Sequence, residues 1–307
     1  MISSFFGKAK PVHYVIIAVL LFTLFFAANW FASSEKQIWD IVLKWTPLFF
    51  VSLLSVYVLD FLGHKNALVD KNSYSIFLFI LFVAWFPETQ IQPLILTSNL
   101  MILLASRRLI SLKSQRNKKM KLFDATFWIT IGALVFFWSS FGFVLVASAL
   151  ILYSISDVKN WVIPLISVMC VLVILMAYNV VLDQELLRYI VEDRSYSFDF
   201  TPFNNLKSIL SLSLLLTFTL WSLVYYIGLI GAKPKSLRAS FIYVLIWLLV
   251  ALLIVVFVPN KSNSVLLFLF APISIIITNY LETISKKWYR ELILVVFMLV
   301  PIINLML

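Results

Sequence analysis

Residues Phe123–Ser156 read FDATFWITIGALVFFWSSFGFVLVASALILYSIS, and the number of times this stretch crosses a bilayer decides the fold. As a single helix it would extend about 50 Å, far more than a hydrocarbon core of about 30 Å. Each half alone is about 25 Å long. The polar notch Ser139-Ser140-Phe141-Gly142 divides the two, which predicts a hairpin at 123–156 rather than one crossing. Charge arbitrates. If the chain turns back at the notch, Lys159, Lys233, Lys235, Arg238, Lys286, Lys287 and Arg290 share a side with Lys8, Lys10, Lys65, Lys71 and the basic run Arg107–Lys121. A single crossing would move them to the other side, against the cytoplasmic excess of Lys and Arg. The other side keeps Lys36, Lys44, Arg188, Arg194, Lys207 and Lys261.

Outward from this hairpin, apolar runs alternate with short polar breaks. Tyr74–Phe86 is about 20 Å as a helix and stops at Pro87-Glu88-Thr89-Gln90. With Ile91–Leu112 it predicts another short hairpin, at 74–112. Further runs lie at Tyr14–Ala32, Ile38–Leu62, Trp161–Leu182, Ser208–Ile230, Ala239–Val258, Val265–Thr283 and Glu291–Leu307. The expected fold class is all-α. The chain reads as a polytopic membrane protein of about eleven transmembrane or half-spanning helices, with a cytoplasmic N-terminus and an outer C-terminus. Residues 1–307 form one helical membrane domain. Short helices need protein or a cavity around their ends, because lipid satisfies no free backbone group. Interrupted apolar segments also point to binding sites in transporters.

Composition agrees: 63% of residues are hydrophobic and only 12% charged, with a mean hydropathy of +1.02. Soluble chains approach about 25% charged residues. The net charge of +10 sits between apolar runs, so it reads as a topology signal and a contact with anionic lipid, not as nucleic-acid binding. The run Tyr14–Ala32 exceeds a signal-peptide core of about 7–15 residues and reads as an uncleaved anchor. Cys170 is the single cysteine and lies inside an apolar run, where packing is its expected role.

Few residues offer chemistry. Glu35 and Asp40 flank the first outer loop, and Glu88 stands at the turn of a short hairpin, where a carboxylate is costly unless solvated or paired. These three are the candidate catalytic carboxylates. The longest outer loop, 183–207, carries Asp183, Glu185, Arg188, Asp193 and Arg194 as candidates for binding a substrate or headgroup. Apolar residues interleave there at helical spacing, which suits a helix lying on the membrane surface. Asp60 and Glu282 are expected to snorkel or pair with lysines. Asn99, Asn179 and Asn279 need partners within apolar runs. His13 and His64 make no metal site, and no metal or cofactor is expected.

The opening Met1-Ile2-Ser3-Ser4-Phe5-Phe6, with Lys10-Pro11-Val12-His13-Tyr14, resembles an uncharacterised family of bacterial multi-pass inner-membrane proteins. Lys121-Leu122-Phe123-Asp124-Ala125-Thr126-Phe127-Trp128-Ile129, the Phe136–Phe143 notch and Trp161-Val162-Ile163-Pro164 continue the resemblance over most of the chain. It implies a bacterial cytoplasmic (inner) membrane location, with membrane lipids and other inner-membrane proteins as partners. The order of short helix pairs is distantly similar to GT-C membrane glycosyltransferases. Those enzymes carry an acidic residue in a substantial first outer loop, whereas Ser33–Asp40 is short. The leading expectation is a non-catalytic inner-membrane subunit or scaffold in a cell-envelope process. The alternatives are a GT-C-like enzyme acting on a polyprenyl-linked sugar, and a transporter or lipid flippase.

Overall fold

The structure is a computed structural model, and it describes residues 2–33, 38–155, 157–182 and 196–306. Among these residues the chain is helical, with no strand. A short α1 (Ile2–Phe6) precedes α2 (Pro11–Ala32), which starts on a proline whose missing N–H costs nothing at a first helical position. The chain continues through α3 (Ile38–Lys65), α4 (Tyr74–Trp85), α5 (Pro93–Ile110), α6 (Lys118–Val135) and α7 (Phe143–Leu152). Then come α8 (Val158–Leu182), α9 (Leu206–Ala232), α10 (Lys235–Phe257), α11 (Leu267–Thr283) and α12 (Lys287–Met306). Among the described residues, 8 helical stretches are long and apolar enough to cross a membrane.

Of the remaining four helices, α1 is a short turn at the start of the chain, and α4, α6 and α7 flank the 3-10 segments Pro87–Gln90 and Phe137–Gly142. The stretch from Phe123 breaks near its notch, with a tight 3-10 segment at Phe137–Gly142 between α6 and α7. α6 starts earlier than the apolar run, at Lys118, and its Asp124 pairs with Arg108 of α5 at 2.9 Å. α4 is 12 residues long, about 18 Å, which is little more than half a bilayer core.

The end of α4 shows how so short a helix survives. The 3-10 turn Pro87–Gln90 follows it, and side chains reach the carbonyls of Phe86, Glu88 and Gln90. Asn29 Nδ2 donates to the Gln90 carbonyl at 3.1 Å, and Ser264 Oγ donates to the Glu88 carbonyl at 2.7 Å. Ser52 Oγ donates to Gln90 Oε1 at 2.6 Å, and Thr89 Oγ1 donates to the Phe86 carbonyl at 2.7 Å. The notch is handled in the same way: Ser139 Oγ donates to the Phe136 carbonyl at 2.9 Å. Non-helical backbone at this depth is viable only with such partners.

α4 and α11 form the centre. Every residue of α11 from Leu267 to Leu281 is buried, and so is nearly all of α4. Phe79 and Phe82 meet Phe270 with ring centroids 5.9 and 5.7 Å apart. Apolar burial drives little between helices in lipid, so this interdigitation and the accompanying hydrogen bonds do the holding. α2, α3, α11 and α12 surround α4. By contrast α8 packs on α6 and turns an apolar face outward, with Leu165, Met169, Val173 and Val180 exposed. Cys170 belongs to that outward face, so it is not a packing residue. The 25 residues of α8 alternate too weakly to reveal from sequence which side packs.

The polar breaks gather at two ends. At the basic end the Ala9 amide donates to the Lys71 carbonyl at 3.1 Å, Lys113 Nζ donates to the Asn66 carbonyl at 2.6 Å, and Glu291 accepts from the Ser3 amide at 3.0 Å. The turns around Glu88, Ser139 and Ser264 lie at the opposite end.

Candidate functional site

A cavity of about 650 Å³ opens at the end opposite the basic loops. α4 forms its back wall through Ala84 and Trp85, and α2 and α12 form its sides through Leu24, Ala27, Phe31, Pro301 and Leu305. Both side helices carry outward apolar faces, including Phe22, Trp30 and Ile302. The space is therefore a lateral cleft between two surface helices. Its volume is that of a typical small-ligand site.

The lining changes along its depth. Its walls are apolar, whereas the rim collects Glu88, Asn205, Lys207, Ser208, Asn263 and Asn304. Glu88 and Lys207 are exposed there, and no ion pair engages either among the described residues. The turn Pro87–Gln90 presents Glu88 to the cleft while burying Thr89 and Gln90. Asn205 caps α9, its side chain accepting from the Lys207 amide at 3.4 Å. Asn304 Nδ2 donates to the Trp85 carbonyl at 3.3 Å and to Ser211 Oγ at 2.8 Å. Asn263 Nδ2 donates to Ser208 Oγ at 2.9 Å. The carboxamide oxygens of Asn263 and Asn304 are buried without a partner.

Beside this rim, Lys261 is buried and donates to the carbonyls of Ser197 and, at 2.9 Å, Val258. Its ammonium also sits over the Phe200 ring, 4.7 Å from the centroid. Burial pushes the Lys261 pKa down, with Asp199 opposing the shift. Asp199 is held below its usual range by the Thr201 hydroxyl and amide. Together these contacts tie the segment before α9 to the top of α10.

At the basic end a separate network runs between helices. Asp60 Oδ2 accepts from Tyr14 Oη at 2.8 Å and lies 3.2 Å from His64 Nδ1. His64 Nε2 meets the Asn72 carbonyl at 2.9 Å, and Asn72 Nδ2 donates to Glu282 Oε1 at 2.6 Å. Asp60 and Glu282 thus pair with these neighbours, not with lysines, because α2 and α3 bring Tyr14 and His64 to Asp60 and the connection before α4 brings Asn72 to Glu282. Asn279 donates to the carbonyls of Leu68 and Ile275 at 2.9 Å each, whereas Asn99 Nδ2 and Asn179 Oδ1 have no partner.

Of the residues singled out by sequence, Glu88 lines the cleft. Glu35, Asp183, Glu185, Arg188, Asp193 and Arg194 lie outside the described residues, as does the surface helix expected around them. Asp40 falls in the first turn of α3, and its side chain is outside the described set. The cleft lies beside the turn Pro87–Gln90. Sequence reasoning missed Asn205, Lys207, Asn263 and Asn304. An amide inside the last apolar run was the available signal for Asn304.

No curated protein and no solved structure matches the chain. A family model does match, over residues 9–306, and the chain belongs to that family, the family of unknown function DUF6427.

Proposed function

We propose that the protein is a non-catalytic subunit or scaffold of a bacterial inner membrane, and that it serves a cell-envelope process by holding an amphiphile in its lateral cleft. One observation carries this reading: a cavity with apolar walls and a polar rim, set between two lipid-facing helices. An acyl or isoprenoid chain suits the walls and a headgroup suits the rim. In this reading the basic end is cytoplasmic, the chain crosses in about eleven segments, and the cleft faces the outer leaflet. The outward face of α8 gives a partner protein a lateral contact.

Native mass spectrometry of protein released gently from its own membrane tests the reading. Wild-type protein is expected to retain a lipid. Ala27→Trp, which fills the cleft from an exposed position on α2, is expected to lose it while remaining monodisperse. Equal retention by both proteins would contradict the proposal.

A second reading draws on Glu88 at the cleft mouth. A GT-C-like transfer to or from a polyprenyl-linked sugar would place a carboxylate there. Altered envelope glycans in a Glu88→Gln strain would favour that enzyme, whereas unchanged glycans fit a binding protein.

A further inference from the structure

At the basic end, away from the cleft, two cations share one aromatic ring. The guanidinium carbon of Arg107 on α5 lies 4.6 Å from the centroid of Phe61 on α3, and the ammonium nitrogen of Lys65 lies 4.8 Å from it. The two charges are thus no farther apart than those distances laid end to end. Among the described residues neither is engaged in an ion pair or a hydrogen bond. Asp60, next to Phe61 in sequence, is held by Tyr14 and His64, and Asp124 of α6 is held by Arg108. α5 packs against both α3 and α6, and Lys121 of α6 lies within electrostatic reach of Arg108 and Lys65. Like charges at this range repel, and an aromatic face offsets only part of that cost. An anion would relieve the repulsion and meet N–H donors that have no acceptor in the protein.

The surface leading to this point suits a lipid tail. Phe50, Leu54, Tyr57 and Phe61 are all exposed. They recur every three or four residues, so they form one stripe along α3, and Lys65 continues it. From Phe50 to Phe61 the stripe runs about 16 Å, close to the depth of one leaflet in a hydrocarbon core of about 30 Å. We infer that this face binds an anionic phospholipid, its phosphate held by Arg107 and Lys65 beside Phe61 and an acyl chain lying along the α3 stripe. A free phosphate would satisfy the cations and leave the stripe unused. The site is separate from the lateral cleft and does not depend on what fills it.

The experiment titrates delipidated protein in detergent with phosphatidylglycerol or with phosphatidylcholine of identical chains, read by native mass spectrometry. Phosphatidylglycerol is expected to bind about tenfold more tightly. Replacing Lys65→Gln and Arg107→Gln together is expected to abolish that preference. Lys65→Gln alone, at an exposed side chain, is expected to reduce it severalfold in protein that still melts cooperatively. Arg107→Lys keeps the charge and is expected to keep most of the preference. Lys235→Gln, which removes an exposed cation from the first turn of α10, is expected to leave it unchanged. Equal binding of the two lipids by wild-type protein would overturn the inference. An equal loss in Lys235→Gln would overturn it too, since diffuse charge and not a site would then explain the preference. Inorganic phosphate serves as a competitor, and its displacing phosphatidylglycerol at an equal concentration would overturn the lipid assignment.

Discussion

The indole N–H of Trp85 donates to the carbonyl oxygen of Phe297 at 2.9 Å. Four residues beyond Phe297 stands Pro301, which has no N–H to return to that carbonyl. The side chain of α4 thus supplies the hydrogen bond that proline removes from α12, and both residues line the cleft. The wall of the cleft is fixed by this repair.

Trp85→Phe is expected to leave the Phe297 carbonyl unpaired and to lower stability by about 1–3 kcal/mol. In a Pro301→Ala background the helix can supply its own N–H, and the same substitution is expected to cost less. A double-mutant cycle of thermal stability in detergent measures the coupling. Strict additivity would show that the indole does not serve this carbonyl.

Asp60 accepts from Tyr14 and faces His64 while nearly excluded from solvent. Asp60→Ala removes the shared acceptor of two helices. It is expected to destabilise the protein by about 2–4 kcal/mol, in the range of hydrogen bonds to charged groups plus the polar groups left unpaired. Tyr14→Phe is expected to cost less, since His64 keeps its contact. Chemical or thermal melts compare the two.

The Asp199 cap predicts an acid-side loosening of the segment before α9. Its pKa is lowered in the folded protein by the Thr201 hydroxyl and amide. The unfolded form takes up protons first as pH falls, so the contribution is fully present above the ordinary aspartate value of 3.8 and lost through the lowered folded value. Lys261 acts on the alkaline side. Its folded pKa lies below the ordinary 10.5, so the cost of burying the cation is relieved as pH rises between the two values. Hydrogen exchange across 196–205 as a function of pH reads the acid step. Asp199→Ala is expected to abolish it, and an unchanged step in that variant would refute the assignment.

Cys170 tests whether α8 lies in the bilayer. The thiol faces outward near the middle of a helix of 25 residues. In intact membranes it is expected to resist a membrane-impermeant maleimide and to react after denaturation in detergent. Prompt labelling in sealed vesicles would place this face in water.

The breaks at Pro87–Gln90 and Phe137–Gly142 were legible in sequence because length and charge both call for an interruption there. A 34-residue apolar stretch with a Ser-Ser-Phe-Gly notch fits the bilayer and the basic loops only by turning back. Short Tyr74–Phe86, ended by Pro87, was readable for the same reason. The site was far less legible. Glu88 was visible as a carboxylate at a turn, but nothing local joins it to Lys207, Asn263 and Asn304, which lie on three other segments. The Trp85–Phe297 contact was equally hidden, since it connects residues separated by 212 positions. Cys170 shows the complementary failure. In a helix apolar on all sides, sequence periodicity does not tell a packed face from a lipid-facing one.

The most direct test of the central claim is an electron cryomicroscopy map of the protein in nanodiscs formed with its native lipids. The account predicts chain-like density between α2 and α12, with a headgroup at the polar rim beside Glu88 and Lys207. A cleft closed by side chains, or open and without lipid density while neighbouring annular lipids are resolved, would contradict it.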